Sequence, residues 1–211
     1  MLVENFLYIG SGAFLTLGLL FGSLTLGLVI AIILTILRYS NILTKTINCY
    51  ISIFRGTPVI LQLSLFYFAV PQVFDIKMNI LSAGILTFGI NSSAYIAEML
   101  RSGINSLPKG QFEAAKTLQI PVIKTWKDII LPQVIRNSIP SLTGEMIALL
   151  KETALISTLG GLDIMRKSQA VAAEHFTYFT PLFMAGFCYY IMVLLIEFIG
   201  KKIEKKYAHY S

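Results

Sequence analysis

A chain of 211 residues that is 55% hydrophobic and only 13% charged, with a mean hydropathy of +0.73, carries about half the charge of a soluble domain of that length. It is an integral membrane protein, and its net charge of +6 does not signal nucleic-acid binding, because the basic residues stand beside apolar spans and set topology. Cys49 and Cys188 lie far apart in or beside apolar stretches, with neither metal spacing nor a disulfide framework.

Five runs are long enough to cross a bilayer, approximately 12–37, 58–74, 79–100, 139–159 and 181–200, each spanning helix needing roughly 20 apolar residues. The first is too long for the core of a signal peptide and has no basic residues before it, so no cleavable signal is expected. It contains Gly18 and Gly22 at GxxxG spacing, read as helix contact within the chain. Before the second run, Arg55-Gly56-Thr57-Pro58 reads as a helix start, with Thr57 as N-cap and Pro58 as the first helical residue. That run is short, fenced by Arg55 and Asp75, and Pro71 near its outer end can bend it. The third ends at Glu98, placed to anchor the following segment together with Arg101.

The polar stretch from Leu107 to Pro140 cannot span, since Lys109, Glu113, Lys116, Lys124, Lys127, Asp128 and Arg136 are spread along it. Pro108 suits the first position of a helix, and Phe112, Ala115 and Leu118 recur at helical spacing. Pro121 ends that helix and starts a second, through Ile123, Trp126, Ile129 and Ile130 to Leu131-Pro132. Two short amphipathic helices need a cover for their apolar faces. Lipid headgroups would suit the basic residues. The small side chains of Ala114 and Ala115 instead suit close approach by another protein.

The fourth run repeats small-residue spacing at Gly144 and Ala148 and holds Glu145, Lys151 and Glu152. Glu145 and Glu152 are seven residues apart and share a helix face. A charge at mid-bilayer costs about 2.5–3.5 kcal/mol even on the lenient scale, so these residues either line a wet cavity or pair with loops at the membrane edge. Residues 160–180 are too polar to span and read as an external, partly re-entrant helix, with Thr180 capping before Pro181. In the last run Glu197 and Lys201 form an ordinary helix ion pair. His175 and His209 stand alone in the sequence.

Lys and Arg number three in 38–57, six in 101–138 and four after Gly200, whereas only Lys77, Arg166 and Lys167 fall in the other loops. The positive-inside rule then puts the N-terminus outside, with the C-terminus and the Glu113 loop in the cytoplasm. The chain reads as one transmembrane domain over 1–211. It has no GxxxxGK[ST] phosphate loop, HExxH, GxSxG or Cys/His cluster. No catalytic residue, metal site or cofactor is therefore expected in it, and it cannot hydrolyse ATP through a phosphate loop of its own.

Glu113-Ala114-Ala115, Leu118 and Leu131-Pro132 resemble the EAA loop of ABC-importer permeases, and further blocks, in that family's order, sharpen the likeness to polar amino acid permeases of the histidine, glutamine and arginine type. These are Phe54-Arg55-Gly56-Thr57-Pro58, Ala94-Tyr95-Ile96-Ala97-Glu98, Pro108-Lys109-Gly110-Gln111, Leu131-Pro132-Gln133 and Leu150-Lys151-Glu152-Thr153. The resemblance covers nearly the whole chain. It implies an all-α, five-span fold of the type I importer class, whose cytoplasmic coupling helices, approximately 101–138, dock on an ATPase. It also implies two ATPase subunits, a second permease copy or paralogue and an external solute-binding protein, with the chain in the inner (plasma) membrane and glutamine as the leading substrate. Resemblance places Glu152, Thr153 and Ser157 on the translocation path, with Asn91, Ser92 and Ser93 opposite, beside the Glu145 and Lys151 already noted. Two departures stand out. Gln119 occupies the position where the family has Gly, at a cost of about 1 kcal/mol if the residue is left-handed. Pro121 can break the helix in another way, which would alter the turn. Ala154 replaces a family Ser. The rival readings are an ion-coupled transporter or channel working through Glu145 and Glu152 without an ATPase, and a membrane-embedded enzyme. The first would favour inverted repeats and broken helices, and the sequence shows neither.

Overall fold

The computed structural model describes residues 2–208, all of whose regular structure is helical; His209 lies outside them. In chain order the helices are α1 (Leu2–Gly10), α2 (Ala13–Tyr39), α3 (Thr44–Gly56), α4 (Val59–Phe74), α5 (Ile80–Asn105), α6 (Lys109–Thr117), α7 (122–152), α8 (Ile164–Glu174) and α9 (Phe179–Ala208).

Among the described residues, three stretches are long and apolar enough to cross a membrane, Leu2–Tyr39, Ile80–Asn105 and Phe179–Tyr207. A fourth exists only as the pair α3 and α4, bent by 102°. The expected 139–159 run is not a separate helix. It is the end of α7, which carries Glu145, Lys151 and Glu152 and gives way to a 3₁₀ segment, Thr153–Leu159. The first apolar stretch begins about ten residues earlier than expected, because α1 precedes α2 across a short break at Ser11 and Gly12. Gly12 is required there: a Cβ on it would lie 2.5 Å from the Asp163 carbonyl carbon.

The segment 38–57 contains a helix that composition concealed. Ile47 and Ile51 sit four residues apart on the buried face of α3, among many polar neighbours. Thr57 closes α3 rather than opening α4, since its hydroxyl donates to the Ile53 carbonyl at 2.8 Å. Pro58 is extended (φ −62°, ψ 132°) and Val59 is the first helical residue. Likewise Pro108 is extended just ahead of α6, which starts at Lys109. Thr180 and Pro181 already lie inside α9, which begins at Phe179, so Thr180 is not a cap.

The second coupling helix does not stop at Leu131-Pro132. It runs on through the fourth apolar run as α7, by way of a wide π turn over Thr125–Ile130. A similar turn over Leu65–Ala69 precedes Pro71 in α4. Proline lacks an N–H and its ring crowds the carbonyl four residues back; in both helices that residue, Asp128 or Tyr67, lies within the π turn, which lets the helix continue.

The core is built around α5. Leu19 and Leu20 of α2, Leu63 of α4, Phe88 of α5, Leu149 and Leu150 of α7 and Ile156 of the 3₁₀ segment form one buried cluster. Close approach of α2 and α5 uses Gly22, whose added Cβ would be 2.7 Å from Ile85, so this GxxxG glycine serves contact within the chain, as expected. Gly144 does not behave in the same way. It is exposed with nothing within 4 Å of an added Cβ.

Candidate functional site

The Glu113 segment is a helical hairpin, α6 followed by the start of α7, with exposed apolar residues at its tip. Helix α6 closes through a pair of backbone bonds, Gln119 N–H to the Lys116 carbonyl at 3.1 Å and Ile120 N–H to the Ala115 carbonyl at 3.0 Å. This is the Schellman pattern, which needs a left-handed residue and usually takes Gly. Gln119 supplies it with φ +56°. The left-handed closure is thus retained despite Gln, and Pro121 follows in extended form to start α7.

The two alanines part company. Ala114 is exposed beside Glu113, whereas Ala115 is 3% exposed in the chain's own packing. Beyond them Leu118, Val122 and Ile123 project at 72%, 73% and 80% exposure. Leu131 and Pro132 are also exposed, but within a continuous helix. Below this tip, Gln111 and Gln133 exchange side-chain hydrogen bonds of 3.1 and 2.8 Å. Trp126 meets Phe112 at 6.3 Å and Tyr39 of α2 edge-on at 4.8 Å. Ile104 and Leu107 at the end of α5 pack on Ile130 and Val134 of α7. The base of the hairpin is thus packed against α2 and α5.

Glu98 is a second joint. It accepts from Arg101 Nε and Nη2 at 3.0 and 2.7 Å, pairs with Nη1 of Arg38, and lies 3.9 Å from Nη1 of Arg55. Arg55 also stands 5.0 Å from the centre of the Tyr95 ring. One carboxylate thus joins α2, α3 and α5, and the anticipated partnership of Glu98 with Arg101 is present.

Deeper in the bundle, the expected polar residues divide. Ser92 donates to Glu145 Oε1 at 2.6 Å, which joins α5 to α7 in a buried pair. Asn91 donates to the Phe54 carbonyl at 2.8 Å and to Gln62 Oε1 at 3.0 Å. Ser93 bonds Tyr50 at 2.7 Å. Asn91 and Ser93 thus brace the α3–α4 bend rather than facing α7. Gln62 completes the brace through Thr57 Oγ1 at 2.8 Å. Gln62 and Tyr50 were not singled out from sequence, although a Gln inside an apolar run is itself a signal of intramembrane function or bracing. Thr153 is buried with its hydroxyl donated to the Leu150 carbonyl at 2.6 Å. Glu152 is half-buried, Ser157 is buried and Lys151 is exposed.

At the opposite end, Asp163 caps α8 by accepting from Arg166 N–H at 2.8 Å and from Tyr189 Oη at 3.2 Å. Burial pushes its carboxyl above the usual carboxylate range. Lys167 donates to Ser11 at 2.6 Å and stands 4.9 Å from the Tyr8 ring centre, tying α8 to α1. The helix pair expected between Glu197 and Lys201 is present at 3.7 Å.

The sequence profile of the binding-protein-dependent transport system inner membrane components matches residues 23–209. A protein of Rickettsia typhi, provisionally named a glutamine transport system permease, is 49% identical over 202 residues, covering 95% of this chain and 93% of that one. An arginine transport system permease of Bacillus subtilis is 38% identical over 201 residues, covering 94% and 92%. A crystal structure of an amino acid ABC transporter with histidines superposes with a TM-score of 0.89 at 32% identity, covering 97% of this chain and 96% of that one.

Proposed function

The chain belongs to the family of binding-protein-dependent transport system inner membrane components, and on that premise we propose that its Glu113 hairpin is the docking element through which an ATPase drives the membrane helices. It is the permease component of an ABC amino acid importer, a multi-pass inner-membrane protein whose ATP hydrolysis lies in separate subunits and whose family works with a binding protein. The observation that carries the docking reading is the tip itself. Glu113, Ala114, Leu118, Val122 and Ile123 face outward, while the residues behind them are locked to α2, α5 and α7. An apolar tip with a rigid base transmits force; one lying on lipid would not need the base.

In this reading the chain is a single permease domain that crosses five times: Leu2–Tyr39, the bent pair, α5, the end of α7 with its 3₁₀ segment, and α9. The N-terminus is outside and the C-terminus inside, as the basic residues dictate. Two copies, or this chain and a paralogue, enclose the path, with two ATPases below and the binding protein above. No metal or cofactor takes part in this chain. ATP-driven closure brings the paired hairpins together and exchanges inward for outward access, a two-state element biased by nucleotide. Ser92 and Glu145, with Glu152, Thr153, Ser157 and Lys151 further along α7 and the 3₁₀ segment, line the path, and Asn91 and Ser93 hold its opposite wall. Glutamine or another polar amino acid is the cargo, in line with the relatives' names.

Extraction in mild detergent should bring an ATPase with the wild-type chain. Glu113→Lys should abolish that association or uncouple ATP hydrolysis from uptake. A Glu113→Lys complex that assembles and transports at the wild-type rate would overturn the docking role.

A further inference from the structure

A cavity of about 230 Å³ opens between α2, α3 and α5, away from the Ser92–Glu145 pair and from the hairpin tip. Its polar wall includes Arg38, Tyr39, Thr44, Arg101 and Asn105, and its other wall is apolar, with Leu34, Ile47, Ile51 and Ala97. We propose that it binds the phosphate of an anionic phospholipid.

Charge is the first argument. Arg38, Arg55 and Arg101 share a single carboxylate, Glu98, so this corner of the molecule keeps a surplus of two positive charges. Arg38 reaches Glu98 through Nη1, and Arg101 through Nε and Nη2. Nη2 of Arg38 and Nη1 of Arg101 are left for a second anion, and guanidinium groups favour phosphate oxygens.

A second, independent argument comes from α3. Thr44 is its first residue, and Leu43 before it is left-handed (φ 55°) with no side-chain cap. The opening N–H groups of a helix have no partner within it and attract anions. Thr44 lines the cavity, and its Oγ1 is buried without a hydrogen-bond partner. A buried hydroxyl in that state carries a cost that an incoming phosphate oxygen removes.

The apolar wall decides the source of the phosphate. It continues the faces of α2 and α5 at the point where their apolar runs give way to Arg38, Tyr39, Arg101 and Asn105, the depth at which headgroups lie. A free ion gains nothing from Leu34 and Ile51, whereas a lipid uses both walls at once. Tyr39 also touches Trp126 of the hairpin base, so the occupant would brace the segment that transmits force.

The test is native mass spectrometry of the full transporter, offered phosphatidylglycerol and phosphatidylcholine at equal mole fraction. Phosphatidylglycerol should be retained about tenfold better, given two surplus arginines at the surface. Thr44→Glu should erase that preference. It places a carboxylate in the cavity while suiting the first turn of a helix, and ATPase co-purification confirms that the variant assembles. Lys201→Glu, which lowers the net charge by two in the C-terminal segment where Thr44→Glu lowers it by one, should leave the preference intact. Equal retention of the two lipids, a preference that survives Thr44→Glu, or displacement of the lipid by inorganic phosphate at equal concentration would overturn the proposal.

Discussion

At the scale of single residues, two side chains hold positions that their neighbours depend on. Glu98 answers three arginines from three helices. Glu98→Gln should lower stability by about 1–3 kcal/mol, because charge-assisted bonds are lost and three guanidiniums stay crowded. A fall in the thermal unfolding midpoint of the purified complex would show it, and an unchanged midpoint would count against this joint. Gln119 is the other case. Its left-handed backbone (φ +56°) is tolerable for Gln and strained for a β-branched residue. Gln119→Val should cost about 1–2 kcal/mol more than Gln119→Gly, read as the difference in unfolding midpoint between the two variants; equal midpoints would show that the turn can do without the left-handed residue. The importance of both residues was legible beforehand, Gln119 from the family's glycine and Glu98 from its place beside Arg101. The further partners of Glu98, Arg38 and Arg55, were not legible. They are distant in the chain and only the packing of α2 and α3 on α5 brings them in.

At the scale of elements, apolar length was a good guide to α2, α5 and α9 and a poor one elsewhere. Helix α3 was missed because its buried stripe is only Ile47 and Ile51 with Tyr50 and Phe54 beside them, too narrow to show against its polar residues. Helix α7 holds two prolines, Pro132 and Pro140, and its continuity was missed because Leu131-Pro132 reads as the end of the second short helix. The first is absorbed by a π turn and the second is simply carried inside the helix. The pair Ala114 and Ala115 was read as one contact surface. Helical geometry separates adjacent residues by about 100°, so one faces out and the other in. The hairpin tip yields the test at this scale. Ile123 is 80% exposed and should contribute little to the permease alone. Ile123→Asp should change the stability of the isolated chain by less than about 0.5 kcal/mol while weakening ATPase binding about tenfold or more. A titration of the ATPase onto immobilised permease measures the second effect; unchanged binding would place the interface elsewhere.

At the scale of the whole molecule, class and membrane residence followed from composition, and the family from short blocks spread along nearly the entire chain. The buried polar contacts were only half legible: resemblance singled out Asn91, Ser92 and Ser93, and charge within an apolar run singled out Glu145, but not which of them pair across helices and which brace a bend. That division depends on the 102° bend between α3 and α4, which no local pattern announces. In the docking reading, force enters through the exposed edge of α6. The most direct measurement is a cross-link from Ala114→Cys, with Cys49 and Cys188 changed to Ser, to cysteines on the surface of the ATPase subunit in membranes that are actively importing. A covalent permease–ATPase product should form, with a yield that changes between nucleotide-free and ATP-bound conditions. Labelling of the Ala114→Cys thiol by a lipid-phase reagent, with no cross-linked product under either condition, would contradict that reading.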